Sequence, residues 1–413
     1  MKTIIGIDWS EKKHCIHAYN EAGAVLLRLE IAATLDGFQA FSRQMSAVNP
    51  EPANCLVAIE TAHNPFVDYL HDYGYTIYIV APSVVDSNRG RQGASGAKDD
   101  DRDARLLADI LRTDRGRFIP WQPDGPLVCQ MRILLTWIDQ LTKSIVQMGN
   151  RLRAILLRTY PQALVAFKGL QSQFSLRFLA AFPDPAAVEK LSYTQFTVFC
   201  QQQGYYARRR YTELWTTLRQ TVPCLPHLSV AYRQQVVWQA QQLLAWKLQK
   251  RDLIKQLKSL FQQHPDAFIF ASLPGAADLL APKLLVMFGD HRQNYPTRTW
   301  LPTIAGTAPV TKSSGRSRIV KFRQACNHDY RHTAQLFARS SIRQSVWAAT
   351  YLHRALDRGL SLSHAYRCLA NRWLQIIWAL WQRHEAYDET YHLHQVSLHR
   401  REKRQLRRKH LRT

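Results

Sequence analysis

The sequence predicts an α/β domain at the N-terminus followed by a mainly α-helical remainder, and three observations carry this expectation. Up to residue 80, short apolar runs alternate with helical stretches. Residues 127–160 and 230–263 carry Leu, Ile and Val at three- and four-residue intervals with no proline and only Gly149 as a break. Beyond Phe268, amphipathic helical patterns resume around a stretch rich in Thr, Pro, Ser and Gly. The 413 residues are 46% hydrophobic with 11 Trp, 17 Tyr and 16 Phe, enough for packed cores, which excludes a disordered basic protein. Lys and Arg number 55 against 31 Asp and Glu, a net charge of +24 that calls for a polyanionic partner. No apolar run approaches the ~18 residues of a spanning helix, and the N-terminus reaches Asp8 before any signal-like region develops, so neither a membrane protein nor a secreted one is expected. Seven scattered cysteines without a CxxC pair argue against a disulfide framework or a thiolate zinc site and fit a reducing cytoplasm.

Taken in order, TIIGI (residues 3–7), HCIHAYN and AVLLRLEI read as three strands, the last two joined by the polar Asn20-Glu21-Ala22-Gly23 turn. A helix at Leu35–Val48, a strand CLVAIE ending at Glu60, a helix from Pro65 and a strand TIYIV at 76–80 follow. The order βββαβαβ matches a ribonuclease-H-like arrangement. Residues 88–98 hold three Gly among small and basic residues and lead into DDDRDARLLADILR, a helix with Leu106, Leu107, Ile110 and Leu111 on one stripe. The two long periodic stretches read as arms of an antiparallel helical or coiled-coil segment, and the five prolines in 161–226 mark shorter helices inserted at its tip. The expected division is 1–126, 127–264, 265–385 and a basic tail, 386–413; residues 400–412 hold eight Lys or Arg against one Glu, a block suited to phosphates.

Asp8 ends one strand, Glu60 another, and Asp100 and Asp103 share a helix face at i and i+3. If the two strands are neighbours, the four acids converge at one sheet edge, where their repulsion requires Mg²⁺ or Mn²⁺ and their geometry suits two-metal attack on a phosphodiester. Each feature alone has a plainer explanation, a strand terminator or a solvated helix N-terminus. Asp99 and Asp101 are expected to face solvent or to stand behind the metal-holding acids.

The order I-G-I-D, then a strand ending in Glu, then K-x-D-x-x-D-A-x-x-L-A (Lys98, Asp100, Asp103, Ala104, Leu107, Ala108) resembles the RuvC-like domain of the DEDD transposases of the IS110 insertion-sequence family. The second half is similar too: Leu273-Pro274-Gly275, Gly289-Asp290, and Gly306-Thr307-Ala308-Pro309 leading to Ser313-Ser314-Gly315. One departure is Ala277, where members commonly have a second glycine. The resemblance covers about residues 1–135 and 265–350. It implies a RuvC-like catalytic domain, a coiled-coil linker and a mainly helical, serine-bearing transposase domain. It also implies a serine before Gly315, Ser314, that attacks DNA to give a 5′-phosphoserine, with the metal-bound acids assisting. The partners it implies are donor and target double-stranded DNA and a structured non-coding bridge RNA, bound by a homodimer that assembles into a tetramer.

Arg316 and Arg318 flank the serine motif and suit phosphate contacts. Arg151 and Arg153 on the first arm could follow a nucleic-acid backbone, and Arg208 and Arg209 among Tyr205, Tyr206 and Tyr211 suit looped RNA; a solvated face with core aromatics is the plainer alternative. Two rival readings are a junction-resolving nuclease that uses the acids alone, without a covalent intermediate, and a non-catalytic RNA- or DNA-binding protein.

Overall fold

The opening apolar run forms β1 (Thr3–Trp9), antiparallel to β2 (Lys13–Asn20), which is antiparallel to β3 (Val25–Ala32). After α1 (Leu35–Val48), β4 (Cys55–Ile59) lies parallel to β1, and after α2 (Pro65–Asp72), β5 (Thr76–Ile79) lies parallel to β4. The computed structural model describes residues 1–89, 99–220, 226–314 and 317–398. Its five-stranded sheet has the order β3-β2-β1-β4-β5, compatible with the ribonuclease-H-like expectation. Two further helices, α3 (Pro82–Asn88) and α4 (Asp100–Asp114), complete this unit, Met1–Pro123.

Alternation along the central strands builds a three-layer unit. Ile5, Ile7, Val57 and Ile59 pack with Phe38, Phe41, Phe66 and Leu70 of α1 and α2 on one face. Ile4, Leu56, Ala58 and Tyr78 pack with Val85, Leu107, Ala108 and Leu111 of α3 and α4 on the other. The contact between β1 and α4 is set by Gly6, where a Cβ would lie 2.0 Å from the Ala104 carbonyl oxygen and 2.5 Å from the Ala108 nitrogen. Both atoms are backbone, so the helix cannot yield locally. Gly6→Ala is expected to cost about 3 kcal/mol or more, read as an early unfolding transition of the first unit by thermal melting, with the acid-bearing helix displaced.

The second unit runs from Asp124 to Thr413. The long helices are α5 (Pro126–Thr159) and, after α6 (Pro161–Ala166), α7 (Gln173–Ala181), α8 (Pro185–Glu189), α9 (Tyr193–Gln202) and α10 (Tyr211–Arg219), α11 (Pro226–Gln263). Leu134 shares a groove with Leu260, and further along α5 Asp139 lies within electrostatic reach of Lys250, so α5 and α11 run antiparallel. The chain continues through α12 (Ala267–Ala271), α13 (Ala277–Phe288), α14 (Trp300–Ile304), the hairpin β6 (Val310–Ser314) and β7 (Ser317–Lys321), then α15 (His328–Ser341), α16 (Val346–Asp357) and α17 (Leu362–Arg383). One continuous core joins Leu152 of α5, Leu257 of α11, Phe178 and Phe196 of the inserted helices, and Phe288, Phe337 and Trp381 beyond residue 265. The boundary expected at 264/265 therefore does not separate two cores, because α13 packs on both arms and Lys283 bonds both carboxylate oxygens of Asp139 at 2.7 Å. No helix among the described residues is long and apolar enough to cross a membrane.

Candidate active site

The last paired rung between β1 and β4 is Ile7 with Ile59. Asp8 and Glu60 are the next residues on these neighbouring parallel strands, and alternation places both on the face that α4 covers. Both are half-buried. Asp8 is opposite Cys15 in the β1–β2 register, and the Cys15 thiol is pushed up to about 11, first by burial and then by Glu30, with Asp100 and Asp8 adding to it. Cys15 thus lies within the electrostatic reach of both acids, and its high pKa makes it a poor nucleophile.

Helix α4 starts at Asp99, whose side chain accepts from the Asp101 backbone. Asp100 is exposed and lines an open cleft of about 440 Å³ with Lys13, Cys15, Arg28 and Glu30. Asp103 is only 6% exposed, and Arg89 donates from Nη2 to its Oδ2 at 3.0 Å. Asp101 is half-buried, with His17 2.7 Å from its Oδ1 and Arg28 Nε 2.7 Å from the same oxygen. Burial works to raise its pKa, but the hydrogen bond from His17 and the charges of His17 and Arg28 outweigh this and hold it low. Asp101 therefore fastens the start of α4 to β2 and β3. Sequence gave no sign of either Arg89 or His17, because both partnerships are long-range.

Four carboxylates are hard oxygen donors suited to Mg²⁺ or Mn²⁺, and the strand register aligns two of them. Among the described residues, however, no three acidic, His or Cys side chains are gathered closely enough to hold a metal ion. At Asp103 the positive charge is supplied by Arg89. The chemistry of the donor set fits a divalent cation, while in this arrangement the acids are not gathered around one and Asp103 is held by Arg89.

In the second unit the serines do not lie in a loop. Ser313 and Ser314 end β6, where Ser313 pairs with Arg318 and Ser314 with Ser317, and both are exposed. Val310, Thr311, Ile319 and Val320 favour the extended backbone, which explains the hairpin. Arg318, expected to contact phosphate, is opposite Ser313 in the backbone register; Arg316, Gly315 and Lys98 lie outside the described residues, as does the basic block 400–412. Phe322, directly after β7, sits between the guanidinium groups of Arg331 and Arg367, each 4.4 Å from its ring centre, which pins the hairpin base to α15 and α17.

The glycine motifs have structural work. The Asp290 backbone N–H donates to Asp124 Oδ1 at 3.0 Å, while Asp290 accepts from His264 at 2.8 Å and from the Gly125 N–H at 2.6 Å, closing the start of α5 onto the end of α13. Gly275 has φ +77°, and a Cβ there would lie 2.7 Å from the Ser340 carbonyl oxygen. Its N–H donates to Gln344 Oε1 at 2.7 Å and its carbonyl accepts from Ser340 Oγ at 2.7 Å. Two residues on, Ala277 has φ +44°, so the conformation that a glycine would favour persists without one. Ala277→Gly is expected to stabilise the second unit by about 1 kcal/mol, measured as a raised denaturation midpoint at unchanged m-value.

Arg151 and Arg153 are exposed on α5, and Arg208 and Arg209 are exposed in the turn before α10. The aromatic residues near them divide. Tyr205 stacks on Phe174 at 4.2 Å and accepts a hydrogen bond through its carbonyl from the buried Tyr211, so both belong to the core, while Tyr206 is 73% exposed.

A transposase family model, that of the IS110 DEDD transposases, matches residues 5–161, and the model of the transposase IS116/IS110/IS902 family matches residues 267–353. The chain is 29% identical over 394 residues to a Streptomyces coelicolor protein named for the mini-circle transposase of IS117, covering 93% of this chain and 95% of that one. It is 26% identical to the 43.6 kDa protein of insertion element IS110 from the same organism, over 69% of this chain and 70% of that one. It is also 26% identical to the 42 kDa protein of insertion element IS900 from Mycobacterium paratuberculosis, over 70% of this chain and 73% of that one.

Proposed function

The chain belongs to the IS110 family of DEDD transposases, and from that premise we propose that it cuts and rejoins DNA through a phosphoserine at Ser314, guided by a structured bridge RNA. Membership carries with it an enzyme acting on DNA in the transposition of an insertion sequence, and it implies dependence on a divalent metal. The observation that best supports the reading is the succession of Asp8 and Glu60 at the ends of adjacent parallel strands, on the face covered by the helix that carries Asp100 and Asp103.

In this reading Asp8, Glu60, Asp100 and Asp103 would hold the cations, Mg²⁺ or Mn²⁺, which when bound would supply Lewis-acid stabilisation of charge on the phosphate oxygens. Ser314 Oγ attacks the phosphorus, forming the Oγ–P bond as the bond to the 3′-oxygen breaks. The serine proton ends on that 3′-hydroxyl. Because the phosphodiester energy is kept in the serine ester, attack by another 3′-hydroxyl reverses the step and joins new ends. A hairpin end is suited to this, since consecutive strand residues point to opposite faces and only one of the two serines can face the DNA. Arg151, Arg153, Arg208, Arg209, Arg316 and Arg318 are assigned to phosphates, the helical arms to a coiled-coil linker, and the assembly to a dimer that pairs into a tetramer around donor and target DNA.

The guide is tested by recombination in vitro on DNA carrying the element ends, with and without RNA transcribed from the non-coding DNA beside the reading frame. Joined products are expected only with that RNA, and altered loops should redirect them. Equal joining without RNA would remove the guide from the account, and cleavage without joining would favour the junction nuclease.

A further inference from the structure

We propose that Arg89 is a built-in counter-cation of the acid site, neutralising Asp103 until a divalent ion displaces it onto Asp86. The inference rests on the reading of the four acids as metal ligands. The Asp103 side chain is 8% exposed, and breaking a buried pair by removing one partner is costly. Arg89 Nη2 supplies that partner at 3.0 Å, while Nη1 of the same guanidinium lies 3.3 Å from Asp86 Oδ1, three residues back.

The two carboxylates differ in kind. Asp86 is largely in water and Asp103 is buried, and the arginine that links them is itself 42% exposed. Leaving Asp103 therefore strands no charge on the arginine, which keeps a solvent-screened partner it already touches. The same departure leaves Asp103 bare unless another cation arrives at once. Arginine or metal must hold this carboxylate, and a divalent ion has the added attraction of Asp8 and Glu60 at the neighbouring strand ends. The guanidinium carries one charge on a planar fork and suits a single carboxylate. Exchange requires the Arg89 side chain to turn away from Asp103 while keeping its contact with Asp86. The exchange would keep the first unit folded and Asp103 paired when no metal is bound, and would weaken metal binding by the cost of moving Arg89.

The test is Mn²⁺ titration of the full chain by calorimetry, with thermal melting with and without Mn²⁺. Arg89→Gln should bind Mn²⁺ about tenfold more tightly than wild type, a common size for coupling between two bound groups. It should also melt earlier without metal and gain more from Mn²⁺. Asp86→Asn should act in the opposite direction, weakening Mn²⁺ binding, since the displaced arginine has lost its second partner. Equal or weaker binding by a folded Arg89→Gln overturns the exchange. If circular dichroism shows that variant unfolded, Asp86→Asn decides the matter, and unchanged Mn²⁺ affinity there overturns it. Asp8→Asn separates the two layers. Abolished binding in Asp8→Asn with no effect of Arg89 or Asp86 removes only the exchange, whereas Mn²⁺ binding that survives Asp8→Asn, or no binding by any form, removes the acid-site reading as well.

Discussion

Asp8→Asn is expected to lower DNA strand cleavage by about three orders of magnitude or more while changing nucleic-acid affinity by about twofold at most. Asparagine keeps the shape of the side chain, so the end of β1, with its rungs to β2 and β4, stays in place. The charge that would draw a cation between Asp8 and Glu60 is lost. Affinity persists because it is carried by the net +24, through release of counterions from many phosphate contacts. Cleavage and gel-shift measurements on one DNA check both halves, and undiminished cleavage would remove Asp8 from the chemistry. Asp103→Asn is a less selective probe: its carboxylate is buried against Arg89, so that variant should lose stability along with activity.

Ser314→Ala is expected to abolish recombination outright, with no residual joining above background, while Ser313→Ala retains it at reduced or normal yield. The substitution removes one exposed hydroxyl at the end of β6 and leaves the Ser314–Ser317 rung, which is made by backbone groups. Folding and DNA binding should therefore match wild type, which isolates the chemical step. Recombination lost in Ser313→Ala but kept in Ser314→Ala would transfer the role to Ser313.

The first unit was legible almost element by element, because its strands are apolar runs punctuated by turn residues and its helices carry a clear stripe. Leu35–Val48 is found as expected, and the strand beginning at Cys55 stops at Ile59, one residue before Glu60. The places of Asp8 and Glu60 at strand ends also followed from the pattern, whereas the adjacency of β1 and β4 was only a condition in the sequence and comes from the sheet. The ion pairs were not legible: Arg89 with Asp103 and His17 with Asp101 join residues that share no local motif. The β6–β7 hairpin escaped because Gly, Ser and Thr weigh toward a loop, whereas Val310, Ile319 and Val320 outweigh them in pairing. The continuity of the core across residue 264 was hidden for a different reason. Periodicity marks where a helix buries a face, and it cannot say that α5 and α11 bury theirs against α13.

The central claim is that this chain joins DNA through its own serine with the help of metal-held acids. It is tested most directly by denaturing a wild-type reaction containing Mg²⁺, element-end DNA and the flanking RNA, digesting any DNA-bound protein, and locating the attached nucleotide by mass spectrometry. The expected result is a nucleotide on the peptide containing Ser314, absent from reactions with chelator or with Asp8→Asn. Cleaved DNA bearing no protein, in reactions competent for cleavage, would contradict it.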